Sequence, residues 1–339
     1  MSWQAFLGTQ GAQADEQGIA RFTAPAGVAA LETSSTLVPL GDYGLIRFSG
    51  EETVPFLHGQ LSSDLKNLPS DGIQYASYST PKGRMLTTLL LLREREDLLL
   101  MLPRNLLAAI QKRLSMYVLR SKTKASDATA ERVLLGLAGP QALAQAKQVF
   151  GAVPQAAMQS VAIEGGQLHR LGGDRLLLVL DEAAAETIWS KLLAAGAVAG
   201  SDAAWMLSDI RAGILWVQTE TQEEFVAQMA NMELIGAVSF KKGCYPGQEI
   251  VARTQYLGKL KRRTFRLTSD QPLQAGQSVY SPEMNGQASG LIAQAAPLAD
   301  GSWEALAVVQ LSSLPHGLHL QDASGPQLAV KDLPYAVHE

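Results

Sequence analysis

The chain has very little cysteine and no long apolar run, and each scarcity removes a class of protein. One cysteine in 339 residues, Cys244, permits no intramolecular disulfide and no cage of several thiolates around a metal. That usage fits a reducing, cytoplasmic environment. The longest apolar stretches, Leu89–Leu92 and Leu98–Leu102, fall far short of the roughly 20 residues that cross a bilayer. They read as buried strands, and no membrane contact is expected. Residues Met1 to Gly27 have neither a basic start nor a sustained apolar segment, so no secretory signal is expected. Basic charge in excess is also missing. With a net charge of −4 and a pI near 5.8, no general field for nucleic acid exists, and no direct nucleic-acid binding is expected.

The residues present are those of a globular protein, 47% hydrophobic and 18% charged, in a chain longer than one core usually supports. Residues 1–35 show little periodicity and suggest an extended lead-in or a short peripheral helix. Gly44–Phe48 reads as a strand and Glu52–Leu61 as a short helix. A weak internal repeat follows. Residues 97–114 and 175–192 each run from an apolar strand into an amphipathic helix, and each strand is preceded by another, over 84–92 and 167–171. Asp181 is placed to cap the second helix. Two related β-hairpin/helix units predict an α+β fold across 36–257. From 258 to 339 short runs such as Arg263–Leu267, Ser289–Ala293 and Ala305–Gln310 alternate with turn residues and predict a C-terminal β-barrel domain.

The chemistry concentrates in Phe240–Arg253, which holds the only cysteine. Gly243 and Gly247 flank it, Pro246–Gly247 suits a type II turn, and a short helix is predicted to begin near Glu249. If the segment is extended, Lys242 lies on the same face as Cys244, where its ammonium would favour the thiolate. The plainer alternative is a cysteine that packs as a small buried hydrophobe.

Lys242-Gly243-Cys244-Tyr245-Pro246-Gly247-Gln248-Glu249 resembles the Lys-Gly-Cys-Tyr-x-Gly-Gln-Glu signature of the YgfZ-type folate-binding proteins, relatives of the glycine cleavage T-protein aminomethyltransferases. Phe56 to Leu61 with Asp64, and Pro81 to Arg84, are similar to two further family landmarks, so the likeness runs from about residue 36 to about residue 265. It implies an aminomethyltransferase-like folate-binding fold and a tetrahydrofolate or related folate as ligand. It also implies a role beside iron-sulfur enzymes or their assembly proteins and, indirectly, in tRNA modification. Cys244 and Lys242 would carry the chemistry, and Tyr245, Gln248, Glu249, Arg253, Gln60, Lys82 and Arg84 would hold the folate. Lys82 and Arg84 read equally well as solvated charges at a strand end.

The sequence departs from its relatives in three places, one being Ala227-Gln228 where the family has Pro-Gln, and the other two bear on the transferases. Their Gly-Gly segment is followed by an aspartate needed for methylene transfer, whereas Gly83 is followed by Arg84, Met85, Leu86, Thr87 and Thr88, none a carboxylate. A glutamate that relatives place before Ala-Gly is Arg211 here, and a guanidinium cannot accept a pterin's N–H bonds. The sequence therefore speaks for a folate-binding accessory protein, with a folate-dependent aminomethyl or methyl transferase as the alternative and a partner-binding scaffold without folate as a third reading. Arg120, Lys122 and Lys124 read as a solvated turn, and His316 and His319 without further ligands carry no metal assignment.

Overall fold

The computed structural model describes residues 1–258 and 260–337. Its first unit runs strand Tyr43–Ser49, helix Thr53–His58, strands Gln74–Ser79, Met85–Glu94 and Asp97–Pro103, helix Arg104–Val118 and strand Lys124–Asp127. Its second repeats that order: strand Val133–Ala138, helix Ala142–Phe150, strands Gln159–Ile163, Gly166–Arg170 and Arg175–Leu180, helix Glu182–Ala194 and strand Val198–Ala199. Each unit folds into its own sheet, with the middle hairpin in the same place in both. The second sheet differs by one inserted strand, Thr36–Pro39, between Val133–Ala138 and Val198–Ala199.

The leucine runs lie where their composition requires. Leu89–Leu92 and Leu98–Leu102 are buried along their whole length. A strand covered on both faces needs apolar side chains at every position rather than at alternate ones. In the helix Arg104–Val118 the stripe Leu106, Leu107, Ile110 and Leu114 is buried at three- and four-residue spacing. Asp181 does precede the second helix in extended conformation, but its carboxylate makes no cap bond. It pairs with Arg132 instead, at 3.2 Å.

Of the two expectations for the first 35 residues, the short peripheral helix is the one observed. Helix Trp3–Thr9 buries Trp3, Phe6 and Leu7, and Trp3 meets Trp189 of the second unit edge-on at 5.9 Å between ring centroids. Trp189 also stacks on Phe22 at 5.8 Å. The docking of this helix on the second unit was not legible, because one short helix supplies only two turns of pattern.

At the other end six strands close into a barrel in the order Arg262–Ser269, Trp303–Gln310, Ala288–Pro297, Ser278–Tyr280, Leu318–Leu320 and Gln327–Lys331. The α+β arrangement with a C-terminal barrel is thus observed. Helix Asp202–Arg211 lies between the parts, against strand Ala288–Pro297 of the barrel and strand Thr36–Pro39 of the second sheet. Barrel residue Gln294, buried, fixes the chain after that helix. Its Nε2 donates to the Ile214 carbonyl at 3.0 Å, and its Oε1 accepts from the Trp216 amide at 2.7 Å. Among the described residues no helix is long and apolar enough to cross a membrane.

Candidate functional site

Two loops that are distant in sequence meet below Cys244. Tyr245–Gln248 forms the expected turn: Gly247 has φ 84° and ψ −1°, and the Gln248 amide donates to the Tyr245 carbonyl at 3.1 Å. Helix Gln248–Tyr256 follows directly. Gly247 sits against the Pro81–Arg84 turn so closely that a Cβ there would lie 2.6 Å from Gly83 Cα. Glycine is needed at that contact for space and for its positive φ together.

Lys242 does not lie beside Cys244 as the extended-strand expectation required. Residues 240–247 bend and turn, so positions two apart do not share a face. The Lys242 ammonium points inward, donating to the carbonyl of His58 and, at 2.5 Å, to that of Leu61, and it lies 4.7 Å from the centroid of the Tyr245 ring. Lys242 and Tyr245 are buried while Cys244 is exposed. The lysine's hydrogen bonds therefore brace the loop that displays the thiol. The plainer reading of Cys244 as a buried hydrophobe is also excluded by its exposure.

Burial pulls Lys242 down to about 8, against the opposing pull of Asp64. The unfolded chain then holds more protons than the native one between about pH 8 and the ordinary lysine value of 10.5, so stability rises with pH across that window. Urea midpoints at pH 7.5 and 9.5 are expected to rise more for the native chain than for Lys242→Met. Equal shifts in both proteins would contradict an ammonium buried in this way.

A second set of polar residues occupies the centre of the molecule. Arg175 opens a buried strand of the second sheet, and its Nη2 pairs with Oδ1 of Asp209, which is 0% exposed. The Tyr43 hydroxyl donates to the other Asp209 oxygen at 3.2 Å, and the guanidinium lies 5.1 Å from the Trp205 ring centroid. Burial pushes Asp209 up to about 6 despite Arg175, so it is ionised at neutral pH. Trp205 and Trp216 are core side chains here, with Trp216 edge-on to Tyr43 at 5.0 Å.

Beside this pair a cleft of about 690 Å³ opens between the two sheets and the C-terminal segment, lined by Tyr75, Met158, Arg175, Arg211, Ile235 and Tyr335 among others. That volume is within the range of small-molecule sites. Among the described residues the buried Tyr75 hydroxyl has no hydrogen bond of good geometry, although it lies close to Arg175, and burial pushes it up to about 12. Arg211 is held at the cleft by Glu304, at 3.1 Å, and by Glu32, at 2.5 Å. The carboxylates that accompany this position thus come from the barrel and from the N-terminal region.

None of the nominated binding residues lines this cleft. Gln60, Tyr245 and Gln248 belong to the loops around Lys242, while Lys82, Arg84, Glu249 and Arg253 are exposed. Arg84 donates to the Glu224 carbonyl at 2.7 Å. Sequence reading missed Tyr75, Arg175 and Asp209 as residues of this centre. The available signal was a charged residue opening an apolar strand, Arg175, and another within a helix otherwise buried along one side, Asp209. At the place of the transferase aspartate, Thr87 and Thr88 are 0% exposed. The Thr88 hydroxyl donates to the Leu215 carbonyl at 2.8 Å and accepts from the Val217 amide at 3.3 Å, which leaves it a structural part. Among the described residues no group of three His, Cys, Asp or Glu side chains could hold a metal ion.

No family model matches the chain. Its fold is that of a solved glycine cleavage system aminomethyltransferase T from Bartonella henselae, with a TM-score of 0.79, 21% identity, and coverage of 97% of this chain and 96% of that one. Curated relatives named tRNA-modifying protein YgfZ match most of the sequence. The protein from Serratia proteamaculans is 32% identical over 320 residues, covering 90% of this chain and 93% of the relative. That from Sodalis glossinidius is 32% identical over 310 residues, covering 90% and 94%. Similarity of this extent, joined to a shared fold from end to end, means that the chain belongs to the YgfZ family of tRNA-modifying proteins.

Proposed function

We propose that the chain is a cytoplasmic folate-binding accessory protein that supports iron-sulfur cluster assembly or repair in certain enzymes, and through them tRNA modification, without transferring aminomethyl groups itself. The observation that carries this reading is the cleft, set in an aminomethyltransferase scaffold from which the transfer carboxylate is missing. Its residues suit a folate. Met158, Ile214 and Ile235 give apolar wall for a flat ring system, the Tyr75 hydroxyl can bond to a polar ring edge, and the Glu304 and Glu32 carboxylates that hold Arg211 leave it a wall of the cleft. When bound, a tetrahydrofolate would supply one-carbon or reducing chemistry that the side chains lack.

Cys244, exposed on a braced loop, would act as a transient thiolate ligand. One thiolate cannot hold a cluster alone, since clusters take about four protein ligands. Cys244→Ala is expected to retain tetrahydrofolate binding and the fold while failing to restore the activity of an iron-sulfur tRNA-modifying enzyme in cells that lack the protein. Full restoration by Cys244→Ala would refute the role of the thiol. Measurable methylene transfer from an aminomethylated carrier protein to tetrahydrofolate would refute the accessory reading in favour of the transferase.

A further inference from the structure

The surface around Cys244 departs in charge and in polarity from the rest of the molecule. Between Phe240 and Arg263 stand seven basic residues and one acidic residue, Glu249, in a chain whose net charge is −4. Lys242 is turned inward and Arg263 pairs with Glu233, but Lys241, Arg253 and Lys261 are exposed. The same stretch exposes large apolar side chains: Tyr256 is 67% and Leu257 85% accessible, with Ile250 also exposed. Among the described residues, helix Gln248–Tyr256 fully buries only Val251, so much of its outer side is open to solvent. Phe240 meets Tyr256 edge-on at 6.2 Å, which joins the segment before Cys244 and the end of the helix into one face.

We propose that this face docks an acidic surface of a partner protein, with Tyr256 and Leu257 as the apolar centre, Lys241 and Lys261 in the cationic rim, and the Cys244 thiol presented to the partner. An apolar centre within a charged rim is the layout of a protein–protein interface. The local excess of cations in an acidic chain gives complementarity to carboxylates and steers encounter. A nucleic-acid track would set several rings for base stacking along a line of cations, whereas here one exposed ring, Tyr256, stands beside the aliphatic Leu257 and Ile250 in a chain of net negative charge. The inference rests on the proposed accessory role only in requiring that a partner protein exists.

The test uses the full chain in its own cells, with a photo-crosslinking p-benzoylphenylalanine at position 257 and, as a control, at the exposed barrel position 330. The surface predicts protein adducts from 257 that are absent from 330, with crosslinked peptides of net negative charge. Their yield should fall about tenfold in Lys241→Glu/Lys261→Glu. Nuclease-sensitive adducts, adducts to a second copy of the chain, peptides without net negative charge, an unchanged yield after charge reversal, or no adduct would each overturn the proposal. Tetrahydrofolate titration of the same charge-reversed protein separates the two readings: its binding should be unchanged, and failure of the native chain to bind folate would remove the folate role and leave the docking surface standing.

Discussion

Asp209→Ala is expected to cost about 3–5 kcal/mol of stability, because it leaves the Arg175 guanidinium buried without its partner. The loss should appear as a lowered urea midpoint at neutral pH. Replacing both members, Arg175→Met with Asp209→Leu, should cost much less than the single change, since no charge then remains in the core. A single substitution that costs under about 1 kcal/mol would mean that water reaches the pair, and the cleft wall would have to be drawn differently.

The second large effect concerns the cleft itself. Ala212 follows helix Asp202–Arg211 and lines the cleft beside Arg211. An indole at that position would fill part of the cleft proposed for the folate. Ala212→Trp is expected to weaken tetrahydrofolate binding by about a hundredfold or more, a change of about 2.7 kcal/mol. Because Ala212 already has helical dihedral angles and is only partly buried, the far-UV spectrum and the urea midpoint should change little.

Much of this architecture was legible in the sequence, for reasons that can be located. The leucine runs of the first hairpin, the helical stripe from Leu106 to Leu114 and the short barrel strands obey periodicities that survive burial in any fold. The repeat of strand and helix made two related sheets the natural expectation. Pro246–Gly247 encoded its turn directly, since the dihedral angles of Gly247 are those that the pair favours. The orientation of Lys242 was not legible. Alternation of faces holds for a strand, and the segment is a series of bends whose lysine is captured by the carbonyls of His58 and Leu61, far away in the chain. The same limit hid the central pair and the fate of Arg211. Arg175 meets Asp209, and Arg211 meets Glu304, only after sheets, helix and barrel have assembled. The likeness to a known family directed attention to the Cys244 segment, whereas the cleft proposed as the ligand site is built by residues outside that motif.

The account depends most directly on that cleft being the folate site. Calorimetric titration of tetrahydrofolate into the native chain, Cys244→Ala and Ala212→Trp decides it. Saturable one-to-one binding by the first two, lost in the third while its fold is retained, is the predicted result. Binding that survives Ala212→Trp unchanged, or that is abolished by Cys244→Ala instead, would contradict it and would return the ligand to the loops around the thiol.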